Sequence, residues 1–207
     1  LFLEMWSIRR ESEFDKFLLR RPFGPGKGLR RPYGDCPLDG ERVGEMVYID
    51  LLTVQAHIHI MTPYLILDGE LETALKFAAE RGVDVHLILP HVPDKKFAYA
   101  LAKTHYASLL DSGVRISEWL PGFVHAKVSW WTLQAVVGTI NLDYRSLYHH
   151  FEDAVWMKDA ACIPAIEKDF QKTLEFCRDV EPTREALEGK TLLHLAGVLL
   201  KVIAPLL

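Results

Sequence analysis

ELETALKFAAERGVDVHLILP, residues 70–90, reads as a helix, a stop and a buried strand in succession. Residues 70–81 are expected to be helical and closed by Gly82, because glycine takes the left-handed conformation that ends a helix. Residues 83–89 form an almost unbroken apolar run ending at Pro90, the pattern of a strand covered on both faces. Working outward, residues 94–110 predict a second helix closed near Gly113, and residues 114–119 a further strand. Upstream, Val43, Met46, Val47, Ile49, Leu51 and Val54 fit a helix, and residues 58–67 form a β-rich run broken by Pro63. Strand and helix thus alternate at the spacing of βαβ units, which predicts parallel pairing with helices packed on the sheet.

The pattern then changes. Residues 123–131 and 134–139 are strand-like, with only Thr132 and Leu133 between them, too few for a crossover helix. They predict an antiparallel hairpin. One more strand is expected over 151–157 and a long amphipathic helix over 163–177. The fold class is therefore α/β, a mixed, largely parallel sheet flanked by helices on both faces. Residues 22–40 hold four prolines and five glycines and predict a linker or irregular entry loop. In residues 191–207, Thr191, His194 and Lys201 share one helical face and leave leucines on the other. This suits a helix lying in a membrane interface, and equally a terminal helix docked on the domain. The expected division is an N-terminal segment and linker over 1–40, a catalytic domain over 41–180 and a tail over 181–207. Leu1-Phe2-Leu3-Glu4-Met5-Trp6 looks like a helix entered in mid-course, as in a piece of a longer protein.

Composition bounds the function. With 207 residues, 49% hydrophobic and 25% charged, the chain can build one sizeable core, which excludes disorder, collagen and a disulfide-stapled mini-protein. Cys36, Cys162 and Cys177 are widely spaced and odd in number, so they read as reduced thiols rather than as a bridge framework or zinc site. The net charge of -4 does not mark a nucleic-acid binder. Residues 1–34 are nonetheless basic, and Arg20, Arg21, Lys27, Arg30 and Arg31 suit either an anionic surface or a solvated loop. No apolar run reaches the roughly 20 residues that a spanning helix needs, and no signal peptide is evident.

The chemistry gathers in the hairpin. Side chains alternate along a strand, so Phe123, His125, Lys127 and Ser129 share a face, and His125 and Lys127 stand roughly 6–7 Å apart. A turn centred on Thr132-Leu133 sets Gly138 opposite Lys127 and Ile140 opposite His125. Gly138 would then let an anion approach the backbone, with Thr139 and Asn141 adding a hydroxyl and an amide donor. A lone strand histidine is usually structural, but a core has no use for Lys, Gly, Thr and Asn around it. Together they describe a phosphate site holding a titratable imidazole.

His125-Ala126-Lys127 followed by Gly138-Thr139-Ile140-Asn141-Leu142-Asp143-Tyr144-Arg145-Ser146 resembles the signature of the phospholipase D superfamily, in particular the C-terminal half of bacterial cardiolipin synthases. Pro63-Tyr64, Ile88-Leu89-Pro90, Pro121-Gly122-Phe123 and Phe151-Glu152 extend the likeness. The resemblance implies a phosphatidyltransferase that moves a phosphatidyl group between two phosphatidylglycerols, releasing glycerol, through a phosphohistidine. One motif's histidine attacks, while the other's protonates the leaving alcohol and activates the acceptor. It implies catalytic roles for His125, Lys127, Asn141 and Glu152, and phosphate binding by Lys127, Gly138, Thr139 and Asn141. By the same resemblance His125 would be the acid and base, with Glu152 accepting a hydrogen bond from its ring. Neither cofactor nor metal is implied. Expected partners are anionic phospholipid, a membrane surface touched peripherally, and a missing N-terminal half or a second copy in a homodimer; nucleic acid is not expected. Alternatives are a homodimeric phosphodiesterase or nuclease, and an inactive membrane-binding fragment.

The chain departs from the family pattern twice. The spacing His-x-Lys-x4-Asp calls for an aspartate where this chain has Thr132, and only one His-x-Lys pair is present. His57, His59, His86, His149 and His150 have no lysine two positions on and read as structural or supporting residues. The single motif therefore supplies half a site.

Overall fold

The computed structural model describes Met5 and residues 26–37, 43–52, 56–181 and 191–206. The remainder of the N-terminal run, Arg20 and Arg21 included, and residues 22–25 and 38–40 of the linker lie outside them. Eight strands form one sheet in the order β1-β9-β7-β6-β2-β4-β5-β10: β1 (Leu29–Asp35), β2 (His57–Met61), β4 (Asp84–Pro90), β5 (Arg115–Trp119), β6 (Val128–Trp131), β7 (Gln134–Gly138), β9 (Glu152–Lys158) and β10 (Cys177–Asp179). A short parallel pair, β3 (Leu65–Ile66) and β8 (Leu142–Asp143), stands apart. The helices are α1 (Val43–Leu52), α2 (Gly69–Glu80), α3 (Lys96–Asp111), α4 (Ile163–Leu174) and α5 (Thr191–Ile203).

The βαβ core forms as the sequence predicts. Asp68 caps α2 by accepting the Leu71 N–H at 2.8 Å, and Gly82, at φ 87°, closes it. The chain then enters β4, which pairs in parallel with both β2 and β5. Alternation along β4 sends Leu87 and Leu89 into the core shared with Leu71, Leu75, Tyr106 and Leu109. Ile88 faces the other side, into a core with Met61, Trp130 and Phe170 of α4. Burying each such side chain contributes about 1.5–3 kcal/mol. Trp130 and Trp131, adjacent in β6, are both buried and serve the two opposite cores.

Three expectations need correction. The sheet is mixed, but only two of its seven ladders are parallel, because the hairpin, β9 and both edge strands add antiparallel neighbours to the β2-β4-β5 centre. The stretch read as an entry loop contains β1, which pairs with β9 from Leu29 to Asp35. Pro32 is compatible with it because an edge strand needs only one of its two rows of backbone groups. The predicted helix over 163–177 stops at Leu174, and Cys177–Asp179 becomes the edge strand β10.

At the C-terminal end, α5 lies against α3. A Cβ added at Gly197 would meet Ala100 O at 2.6 Å and Thr104 Cγ2 at 2.7 Å, so only glycine permits this approach. Lys201 reaches Glu72 of α2 at 3.9 Å. Leu195, Val198, Leu199, Val202 and Ile203 are exposed, Val202 at 81%. The Thr191 and His194 side chains, named above as part of a polar face, lie outside the described residues. No helix among the described residues is long and apolar enough to cross a membrane.

Candidate active site

The hairpin register is as expected: Val128 faces Val137, and the Gly138 N–H reaches Lys127 O at 3.3 Å. The ladder ends there. Residues 123–127 form no strand pairing, because β2 stops at Met61, opposite Val128, and the chain turns away through Pro63. His125 is therefore presented on an unpaired segment, exposed, with its ring 5.6 Å from that of Phe123. Lys127 is half-buried, and its ammonium donates to His125 O at 2.9 Å. Burial lowers the Lys127 pKa, while Glu152 and Asp143 oppose that shift by favouring its charge.

His125 opens onto a cavity of about 260 Å³ also lined by Tyr64, Lys95, Asn141, Arg145 and Ser146. The Asn141 amide donates to Ser146 Oγ at 2.9 Å, and the Ser146 N–H donates to Asp143 Oδ1 at 2.7 Å. This chain of bonds fixes the amide at the cavity wall. Burial raises the Asp143 pKa, and the Ser146 N–H pulls it back. Lys95 Nζ sits 5.4 Å from the centre of the Tyr64 ring, whose hydroxyl donates to Asp94 at 2.6 Å. Burial raises the Tyr64 pKa above its ordinary value, with Asp94 adding to the shift. An exposed imidazole, an oriented amide and the cations of Lys95 and Arg145 can hold an anion and exchange a proton with it.

The other expected site residues are placed differently. A Cβ at Gly138 would meet Ala154 Cβ and Asp153 O, each at 2.4 Å, so the missing side chain admits β9 rather than an anion. The Thr139 hydroxyl donates to Glu152 and accepts the Asp153 N–H at 3.1 Å, committing it to β9. Glu152 is buried, with its second oxygen 3.5 Å from His150 Nδ1. Among the described residues no hydrogen bond joins Glu152 to His125. Thr132 lies in the turn at the opposite end of β6, at φ 42°, and its N–H donates to His57 Nε2 at 3.2 Å.

Sequence reasoning missed Lys95, Arg145, Ser146 and His150 as lining residues. The last three belong to stretches already singled out, whereas Lys95 precedes α3 and has no signal of its own. Among the described residues two groups of three side chains could hold a metal ion, His57 with His59 and Glu167, and Glu45 with Asp68 and Glu70; none of these residues lines the cavity. Among the described residues, Cys36, Cys162 and Cys177 form no disulfide.

Residues 48–174 match the family model described as cardiolipin synthase, phospholipase D-like domain. The chain belongs to this family. An uncharacterized protein of Streptococcus mutans is 51% identical over 212 residues, spanning 100% of this chain and 46% of the relative. Cardiolipin synthase 2 of Bacillus anthracis is 34% identical over 145 residues, covering 70% of this chain and 28% of that enzyme. A cardiolipin synthase of Clostridium perfringens is 34% identical over 161 residues, covering 75% and 33% respectively. The chain thus spans less than half the length of these relatives. Among solved structures, a phosphatidylserine synthase of Haemophilus influenzae superposes with TM-score 0.68 at 18% identity, over 92% of this chain and 50% of that one. Nuc, a phospholipase D family member from Salmonella typhimurium, gives TM-score 0.63 at 17% identity, over 75% of this chain and 99% of its own. At these identities the superpositions show the shared fold.

Proposed function

We propose that this phospholipase D-like domain supplies one half of a cardiolipin synthase-type phosphatidyl-transfer site. A histidine from a second half attacks the phosphorus of phosphatidylglycerol and forms a phosphorus–nitrogen bond. The phosphorus–oxygen bond to glycerol breaks, and His125 donates the proton that the glycerol leaves with. His125, now neutral, takes the proton of a second phosphatidylglycerol's hydroxyl, whose oxygen displaces the first histidine and yields cardiolipin. The observation that carries this reading is the meeting of His125 with Asn141, Ser146 and Arg145 around one cavity. Lys127 adds charge and braces the segment that bears His125. Glu152 accepts from Thr139 and has its second oxygen beside His150, so on this reading it steadies the start of β9 rather than His125. The exposed stripe of α5 supports peripheral contact with a bilayer.

A homodimeric phosphodiesterase is the second reading. It is favoured by Nuc, whose chain is covered to 99% by part of this one. The chain should be assayed on phosphatidylglycerol vesicles, alone and with the remaining part of the Streptococcus mutans relative, with DNA as a parallel substrate. Cardiolipin and glycerol in equal amounts, appearing only with the added part, support the transferase. Phosphatidic acid as the only lipid product, or cleavage of DNA by the chain alone, overturns it.

A further inference from the structure

His57 and His59 lie two apart on β2 and project toward α4, their ring centres 4.9 Å apart. One nitrogen of each and a carboxylate oxygen of Glu167 fall within 4.8 Å of one another. His59 stands between two carboxylates, with Nδ1 3.3 Å from Glu167 Oε2 and Nε2 3.6 Å from Asp84 Oδ2. A neutral imidazole has one N–H, so it can serve only one of them and turns a lone pair toward the other. Nε2 is buried and has no hydrogen-bond partner. An ion on Nδ1 resolves the conflict. Glu167 then binds the ion, the proton resides on Nε2 facing Asp84, and the histidine becomes the link between metal and carboxylate common around zinc. The separation of 3.3 Å also equals about the ligand–ligand edge of a tetrahedron with zinc bonds of ~2.0–2.1 Å.

The surroundings are built to hold these groups. Asp84 is fixed by Arg115 through contacts of 2.6, 2.7 and 3.0 Å. Glu167 accepts from Trp130 Nε1 and, at 2.7 Å, from Gln171. His59 is stacked on Phe170, ring centres 4.7 Å apart and planes 4° from parallel. His57 and Glu167 line a cleft of about 470 Å³ that gives an ion a way in and leaves room for water as fourth ligand. Ligation through His57 Nε2 replaces its bond from the Thr132 N–H, which lies in an exposed turn and can turn to water.

We propose that His57, His59 and Glu167 bind one divalent transition-metal ion of the zinc class, tying β2 to α4 at the end of the sheet remote from His125. The full chain, stripped with chelator and dialysed, is titrated with Zn²⁺ by calorimetry and with Co²⁺ by visible absorption, and melted with and without Zn²⁺. One ion per chain, the intense absorption of four-coordinate Co²⁺ and a raised melting temperature are expected. His57→Ala and Glu167→Gln should each weaken binding at least about tenfold and remove the melting shift, with the circular dichroism unchanged. His125→Ala should leave binding intact. The proposal fails if the wild-type chain shows no saturable binding, if both cleft variants bind as tightly as wild type, or if binding is lost only in His125→Ala.

Discussion

His125 and Lys127 differ in what holds them. The Lys127 ammonium is anchored on the main-chain carbonyl of His125, so it braces the unpaired segment. His125→Ala should reduce phosphodiester turnover, measured with the complementary part present, by at least about a thousandfold while leaving the melting temperature unchanged. The pair was legible in its two-residue spacing, but the strand expected to carry it was not formed, since residues 123–127 form no strand pairing and Lys127 reaches the His125 carbonyl. Gly138 and Thr139 were misread, since the partners that claim them, Asp153 and Ala154, belong to a strand whose position only the register reveals. Thr132 illustrates another limit. Its spacing from His125 matched a family aspartate, but nothing in the sequence said that it occupies a turn at φ 42°. A β-branched residue is disfavoured there, so Thr132→Asn should stabilise the chain by about 1 kcal/mol in urea unfolding, leaving any activity unaltered.

At the scale of elements, the close passage of β9 beside β7 depends on one absent methyl. Gly138→Ala forces a Cβ to within 2.4 Å of Ala154 and Asp153 O. A loss of about 1–3 kcal/mol is expected in chemical denaturation, with activity falling as the Asn141 strand end shifts. Three helices meet at Glu72: His105 of α3 donates to it at 2.7 Å, Ser108 donates to its other oxygen, and Lys201 of α5 lies 3.9 Å away. The His105 hydrogen bond chiefly holds the Glu72 carboxyl down to about 2, against burial, which raises it. A carboxyl lowered on folding stabilises above its unfolded value near 4.5, and that contribution is lost as the pH falls toward 2. Thermal melts across this window should therefore drop less steeply for Glu72→Gln than for wild type. The long, periodic elements α2, β4 and α3 were legible from the sequence. β1 and β10 were not, because the first carries proline and the second is three residues long, too few to show a period.

Over the whole molecule, the cavity at His125 and a single His-x-Lys pair sit in a chain that spans 46% of its Streptococcus mutans relative. The sequence carries a single His-x-Lys pair, so on the proposed reading the second histidine comes from another half or from another copy of the chain. The outer face of α5 exposes Leu195, Val198, Leu199 and Val202, and Ala204, just beyond the helix, lines the cavity. If that face meets lipid, Leu199→Glu combined with Val202→Glu should cut co-sedimentation with anionic vesicles about tenfold or more, without lowering the melting temperature.

The hairpin separates two jobs along its length. Its closed tip, Thr132-Leu133, bears on stability, whereas its open end, beyond Val128 and Val137, displays the imidazole proposed to react. A change at the tip is therefore expected to cost rigidity before chemistry. A library randomised over residues 131–134 would be a direct route to sturdier variants with the same reactivity.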